Sequence, residues 1–237
     1  MKNERKLVKS YYKTTFQCIE NIQSRKYNLA SEIATNKIQL CKKIINEDDI
    51  ENSAIKNISL LFGICFKALE ELAEIGSIVL SKNWISYPKK VQRVWYLLQN
   101  CKDRLGYALS PLNFPDDKIN FIIDFIQDIE IQIEAMYGKG LYNSPEVIIE
   151  ECVCSICNQD PRSCPHVENQ IYDGKICRIV VTKMKKGSHV ASTQNPKDKR
   201  CRIWPWNFKE NLEDGGLIIE NVPIIISFRI DGFLYDD

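Results

Sequence analysis

Cys154, Cys157, Cys164 and His166 place three thiols and an imidazole within the thirteen-residue stretch CSICNQDPRSCPH. The spacing is C-x2-C-x6-C-x-H. Two residues between thiols form a knuckle whose turn lets both sulfurs face one ion. The connector NQDPRS is rich in turn formers and can bring Cys164 and His166 round to the same point. Thiolate and neutral imidazole together are the donors zinc favours. The sequence therefore predicts a zinc ion on Cys154, Cys157, Cys164 and His166. Two neighbours are placed to replace one of these ligands: Cys152, two residues upstream, and Cys177, in the strand that follows. A redox dithiol would need only the first pair; the second Cys/His pair argues for metal. Four protein donors close the shell, so the expected ion is structural rather than catalytic. Such a site contributes about 10–16 kcal/mol of apparent binding energy, enough to fold a segment with little core of its own.

The same residues carry a resemblance. CSICNQDPRSCPH followed by IYDGKIC is similar to a bacterial zinc-binding module of the form CSICG-D-x-C-x-H, then Y-x-G-x2-C, to which no reaction is attached. It covers Cys154 to Cys177, and NPKDKRCRIWPW extends it if that segment belongs to the module. Asn158 stands where the pattern has glycine. The resemblance implies zinc, a bacterial or phage origin and, through that origin, a place in phage defence.

The elements that must position this cluster divide the chain near residue 140. Before it the text is helical, with neither Gly nor Pro from Met1 to Phe62. Val8, Tyr12, Thr15, Ile19 and Ile22 recur at helical spacing, as do Leu29, Ile33, Ile38, Cys41 and Ile45. They form one long helix or a hairpin broken at SRKYN. NEDD at 46–49 can cap the next helix, whose face is Ile55, Ile58, Phe62, Cys65, Leu69 and Leu72. Pro88 starts another, through Val91, Val94, Trp95, Leu98, Cys101 and Leu105, which SPLNFPDD breaks. Asp116 or Asp117 caps the last, with Ile119, Ile122, Ile126, Ile129, Ile133 and Met136 inward and Gly138 and Gly140 at its end. After residue 140, EVIIEECV, KICRIVVTKM and GLIIENVPIIISFRI read as strands. The expected fold is α+β: a bundle of four or five helices over residues 1–140, then a small zinc-stapled β domain over 141–237.

Composition narrows the functional classes. Lys and Arg number 32 against 31 Asp and Glu, so no global field directs the chain to nucleic acid or membrane. No apolar run is long enough to span a bilayer. The charged start MKNERKLVKSYYKTTF lacks the apolar stretch of a secretory signal, so a cytoplasmic location is expected. Ten cysteines in such a chain read as thiols and metal ligands, not as a disulfide framework. Cys18, Cys41, Cys65 and Cys101 lie on apolar stripes and read as core.

Locally, residues 174–202 hold nine basic side chains against Asp198 alone. Lys183, Lys185, Lys186, Lys199, Arg200 and Arg202 are candidate contacts to a phosphate backbone. Trp204 and Trp206, in RIWPWNF, are candidate partner anchors, with packing between the two halves as the plainer reading. His189, read as a loop histidine, is the one imidazole outside the cluster, and a treble-clef nuclease would need it. No P-loop, dinucleotide fingerprint or nucleophile elbow is present. The expectation is a non-enzymatic, zinc-binding adaptor. Its partner would be another protein or a second copy, met through the helical bundle. A nucleic-acid-binding protein and a metal-dependent nuclease are the alternatives.

Overall fold

A computed structural model describes residues 2–47, 52–210, 217–222 and 229–234. The architecture is α+β, five helices followed by a small β region. The helices are α1 (Lys2–Gln23), α2 (Tyr27–Asn46), α3 (Ser53–Val79), α4 (Pro88–Leu112) and α5 (Asp116–Tyr137).

The first helical stretch is a hairpin, broken at Ser24–Lys26. Arg25 takes a left-handed conformation at φ 58°. The Lys26 N–H donates to Asn21 O at 2.8 Å and the Arg25 N–H to Ile22 O at 3.0 Å. This is a Schellman stop, with arginine at the position glycine usually takes. The inner face of α1 centres on Tyr11, Thr15, Cys18, Ile19 and Ile22, with Tyr12 at its margin. On α2 it is Ala30, Ala34, Ile38 and Cys41 that face the core, whereas Leu29 is exposed. Small residues there let α2 lie close against α3. Gly76 of α3 completes that approach: a Cβ on it would fall 2.2 Å from the Tyr27 ring.

Helix α3 is buried on most of its circumference and is the central element. Its N-cap is Asn52, whose Oδ1 accepts from Ala54 N and Ile55 N, in place of a cap from NEDD. Asp48 and Asp49 of that tetrapeptide lie outside the described residues. Helix α4 starts at Pro88, as expected, and carries Pro111 in its last turn. Helix α5 is preceded by Pro115 at the N-cap, so Asp116 and Asp117 fall in its first turn, where they favour the positive end of the helix dipole. Gly138, at φ 75°, ends it.

Strand β1 (Leu141–Cys154) pairs antiparallel with β4 (Ile179–Thr193) from Tyr142↔Thr193 to Cys154↔Ile179, with several bulges. Between them a two-residue turn joins β2 (Ile171–Tyr172) and β3 (Lys175–Ile176). The short β5 (Arg202–Ile203) adds to the start of β1. Strands β6 (Phe208–Glu210) and β7 (Leu217–Ile219) pair with each other. The last apolar run, 223–228, lies outside the described residues.

Tyr142, Ile176, Trp204 and Phe233 join the same apolar cluster as the helices. Phe233 lies against Gly63, where a Cβ would come within 2.5 Å of its ring. A polar network crosses the same boundary. Arg104 pairs with Glu71 at 2.5 Å and donates to Ile230 O at 3.1 Å. Trp95 Nε1 donates to Lys199 O at 2.7 Å.

Candidate metal centre

The ribbon β1–β4 ends in the cysteine module: β1 finishes at Cys154, β4 starts at Ile179, and residues 155–178 form the connection. Cys154 begins a tight knuckle. The Asn158 N–H donates to Cys154 O and the Cys154 N–H to Gln159 O, both at 2.8 Å. The Ile156 N–H points at Cys154 Sγ, 3.4 Å away. Asn158 takes φ 58°, a left-handed conformation that glycine adopts freely and asparagine tolerates. Asparagine at this position therefore keeps the turn.

Asp160 organises the next segment. Its carboxylate accepts from the Arg162 N–H and guanidinium, and its carbonyl accepts from Ser163 N and Cys164 N. That turn presents Cys164. The Arg162 guanidinium holds the Asp160 carboxyl down at about 2. Across the β2–β3 turn, Asp173 and Gly174 both have positive φ, 47° and 73°, as a two-residue hairpin demands. Tyr172 on this hairpin meets the His166 ring edge-on at 4.7 Å, and its hydroxyl accepts from Val167 N.

These turns bring one donor atom from each of Cys154, Cys157, Cys164 and His166 within 4.8 Å of one another. The four residues singled out by spacing are thus a group that can hold a metal ion. His166 Nδ1 is buried with no hydrogen-bond partner, the condition of a nitrogen whose partner is an ion. The Cys154 thiol is opposed by burial, but N–H donors from Cys157 and Ile156 and the thiols of Cys177 and Cys157 bring it down to about 6. Burial and the Cys154 sulfur push Cys177 up to about 11. Neither reserve ligand is among the four donors gathered there, but the Cys177 sulfur lies 3.6 Å from that of Cys154.

The module is docked on the bundle. Gly174 N donates to Asn57 Oδ1 of α3 at 2.7 Å, and a Cβ on Gly174 would press on Ile45 and Lys56. Tyr107 of α4 donates to Asn169 O at 2.7 Å. Between this dock and the start of β1 lies a cavity of about 720 Å³, bounded by Asp103, Tyr107, Asn143, Asn169 and Arg200 among others.

The basic segment is divided in space. Lys185, Lys186 and Lys199 are exposed. Lys183 pairs across the ribbon with Glu150 at 3.2 Å. Arg200 and Arg202 turn inward. Arg200 is 7 % exposed and bound to Asp198, Asp103 and Asn100. Arg202 is 1 % exposed, set against the rings of Trp95 and Trp204 at 4.6 and 4.5 Å. Its Nη2 donates to Gly138 O, at the negative end of α5. The two arginines with the strongest phosphate-binding chemistry are thus structural. Asp198 and Trp204 are near in sequence, but Asp103, Asn100 and Trp95, which complete the two environments, are distant, so spacing alone gives no sign of the burial.

Trp204 is likewise internal. It packs on Trp95, Tyr137 and Trp206, while Trp206 is half-buried at the margin of the same group. The aromatic segment ties β5 to α4 and α5. His189 belongs to strand β4 rather than to a loop. Its side chain lies outside the described residues. Among the described residues no helix is long and apolar enough to cross a membrane. No family model, curated protein or solved structure matches the chain.

Proposed function

We propose that the chain is a zinc protein whose ion is structural, and that it acts by binding another protein rather than by catalysis. The observation that carries the metal is the convergence of three sulfurs and a His166 ring nitrogen within 4.8 Å, beside a buried His166 Nδ1 that has no hydrogen-bond partner. This donor set suits zinc, and four protein ligands leave no position open for a substrate. The ion would fix the knuckle, the Cys164 turn and the β2–β3 hairpin in the arrangement that docks on α3. The test is elemental analysis: purified protein carries one zinc per chain and the Cys154→Ser/Cys157→Ser double variant carries none. Well-folded wild-type protein without zinc would overturn the reading.

Support for the protein partner comes from the ribbon rooted at this site. Ile148, Ile149, Val180, Val181, Met184 and Val190 are each 40 % exposed or more. A two-stranded ribbon cannot bury such residues on its own. Lys185 and Lys186, exposed along β4, would repel the same strand of a second copy, which favours a different chain as partner. Comparing proteins captured by wild type and by Met184→Glu tests this: the specific partner is lost from the variant. The bacterial, phage-defence setting rests on the module's resemblance alone.

A further inference from the structure

We propose that Cys177 is a fifth donor of the same centre, able to take the fourth coordination position in place of His166. The inference rests on the zinc reading above. It starts from one distance: Cys177 Sγ lies 3.6 Å from Cys154 Sγ, and both residues are 2 % exposed. A disulfide would need about 2.05 Å, so the sulfurs are not bonded. Two thiolates on one tetrahedral ion at about 2.3 Å each are roughly 3.8 Å apart. The Cys154–Cys177 spacing, which also suits a thiol–thiol hydrogen bond, thus matches two sulfurs on one metal.

Backbone hydrogen bonds hold Cys177 in that place. Its N–H donates to Gln170 O and its carbonyl accepts from Asn169 N, both at 2.8 Å. One residue later, Arg178 N donates to Ser155 Oγ and Arg178 O accepts from Ser155 N, each at 2.9 Å. Ser155 directly follows Cys154. The segment carrying Cys177, between β3 and β4, is thus laced to the residue beside the first knuckle sulfur. The buried thiols of the bundle differ: Cys18 and Cys101 point at backbone carbonyls, those of Ala30 and Ala68. Cys177 points at another thiol. His166, by contrast, is held through its ring contact with Tyr172 and lies on a segment without strand pairing. With Cys177 added to the four donors that converge, a four-coordinate ion would leave one in reserve, and His166 and Cys177 lie on opposite sides in sequence of the β2–β3 hairpin.

The test uses the full chain in four forms: wild type, His166→Ala, Cys177→Ser and the double variant. Zinc is measured after dialysis against a weak chelator, with circular dichroism as the check on folding. Wild type and both single variants should retain one zinc per chain, and the double variant should lose it. Cobalt substitution gives a second readout. Sulfur-to-cobalt charge transfer should be stronger in His166→Ala than in Cys177→Ser, because a thiolate has replaced the imidazole. The proposal is overturned if His166→Ala alone loses zinc, if the double variant keeps it, or if the two cobalt spectra have equal charge-transfer intensity. Wild-type protein without zinc would instead overturn the underlying zinc reading.

Discussion

Glu71 of α3 and Arg104 of α4 meet at 2.5 Å with side chains 6 % and 5 % exposed, so one ion pair joins the central helix to its neighbour out of reach of water. The pair is not isolated. Asn100 Nδ2 donates to Glu71 at 3.4 Å, and Asn100 Oδ1 accepts from Arg200 at 3.0 Å. Arg104 also donates to Ile230 O. The network therefore runs from the bundle into two separate pieces of the C-terminal half. Removing one partner leaves a buried charge uncompensated. Glu71→Ala should cost about 3–5 kcal/mol, read as a lower urea midpoint. Replacing both residues with apolar ones of similar volume should cost much less than the sum of the single changes. A cost near zero for Glu71→Ala would show that the pair is more hydrated than its burial indicates.

Arg25 offers the opposite sign. A left-handed residue with a Cβ is strained by about 1–2 kcal/mol, and glycine at this Schellman position relieves it. The guanidinium of Arg25 lies in an exposed turn. Arg25→Gly should therefore stabilise the protein by about 1 kcal/mol after the greater freedom of glycine in the unfolded chain is allowed for. Thermal unfolding checks it, and a lower melting temperature would refute it.

Thiol reactivity separates the two populations of cysteine. Burial pushes the thiols of Cys18 and Cys41 up to about 12, and those of Cys65 and Cys101 higher than usual. At neutral pH these stay protonated and shielded, hence inert, since the thiolate is the nucleophile. An ion bound by the cluster would mask its sulfurs. Native, metal-loaded protein should then react rapidly at Cys152, which is partly exposed, and hardly elsewhere. Chelation should add Cys154, Cys157, Cys164 and Cys177. Mass spectrometry of labelled peptides distinguishes them, and early labelling of Cys65 would contradict the packing.

Much of this was legible in sequence, and the reasons for the remainder are physical. Helices announce themselves through local periodicity, so α3, α4 and α5 could be placed from their apolar stripes. The metal ligands are close in sequence, and spacing within a knuckle is itself geometry. Arg202 could not be read in the same way. Its environment is made by Trp95, a hundred residues earlier, and by the carbonyl end of α5. Basic density describes composition, while burial depends on which chain segments meet. On α2, Ile38, Cys41 and Ile45 are buried as their spacing predicts, but Leu29 is exposed while the smaller Ala30 and Ala34 face inward.

The last prediction concerns how far the metal's influence reaches. Tyr142 and Cys154 stand at opposite ends of β1, twelve residues apart, about 40 Å for an extended strand. The tryptophan group of Trp95, Trp204 and Trp206 belongs to the Tyr142 end, where Arg202 pairs with Tyr142 and β5 joins the sheet. The metal centre belongs to the other end, where its hairpin docks through Gly174 and Asn57. Chelation should release that dock first. Hydrogen exchange should then accelerate at Gly174 and Cys177, whose N–H groups lose their partners, while helical circular dichroism persists. Trp204 should stay protected from quencher, because its neighbours come from α4 and α5. If chelation instead collapses the helical signal, the ion holds the whole molecule together through the cluster that Ile176 shares with the bundle. In that case residues 1–140 would have no independent fold, and the stability of α3 would depend on the hairpin that a bound ion would fix against it.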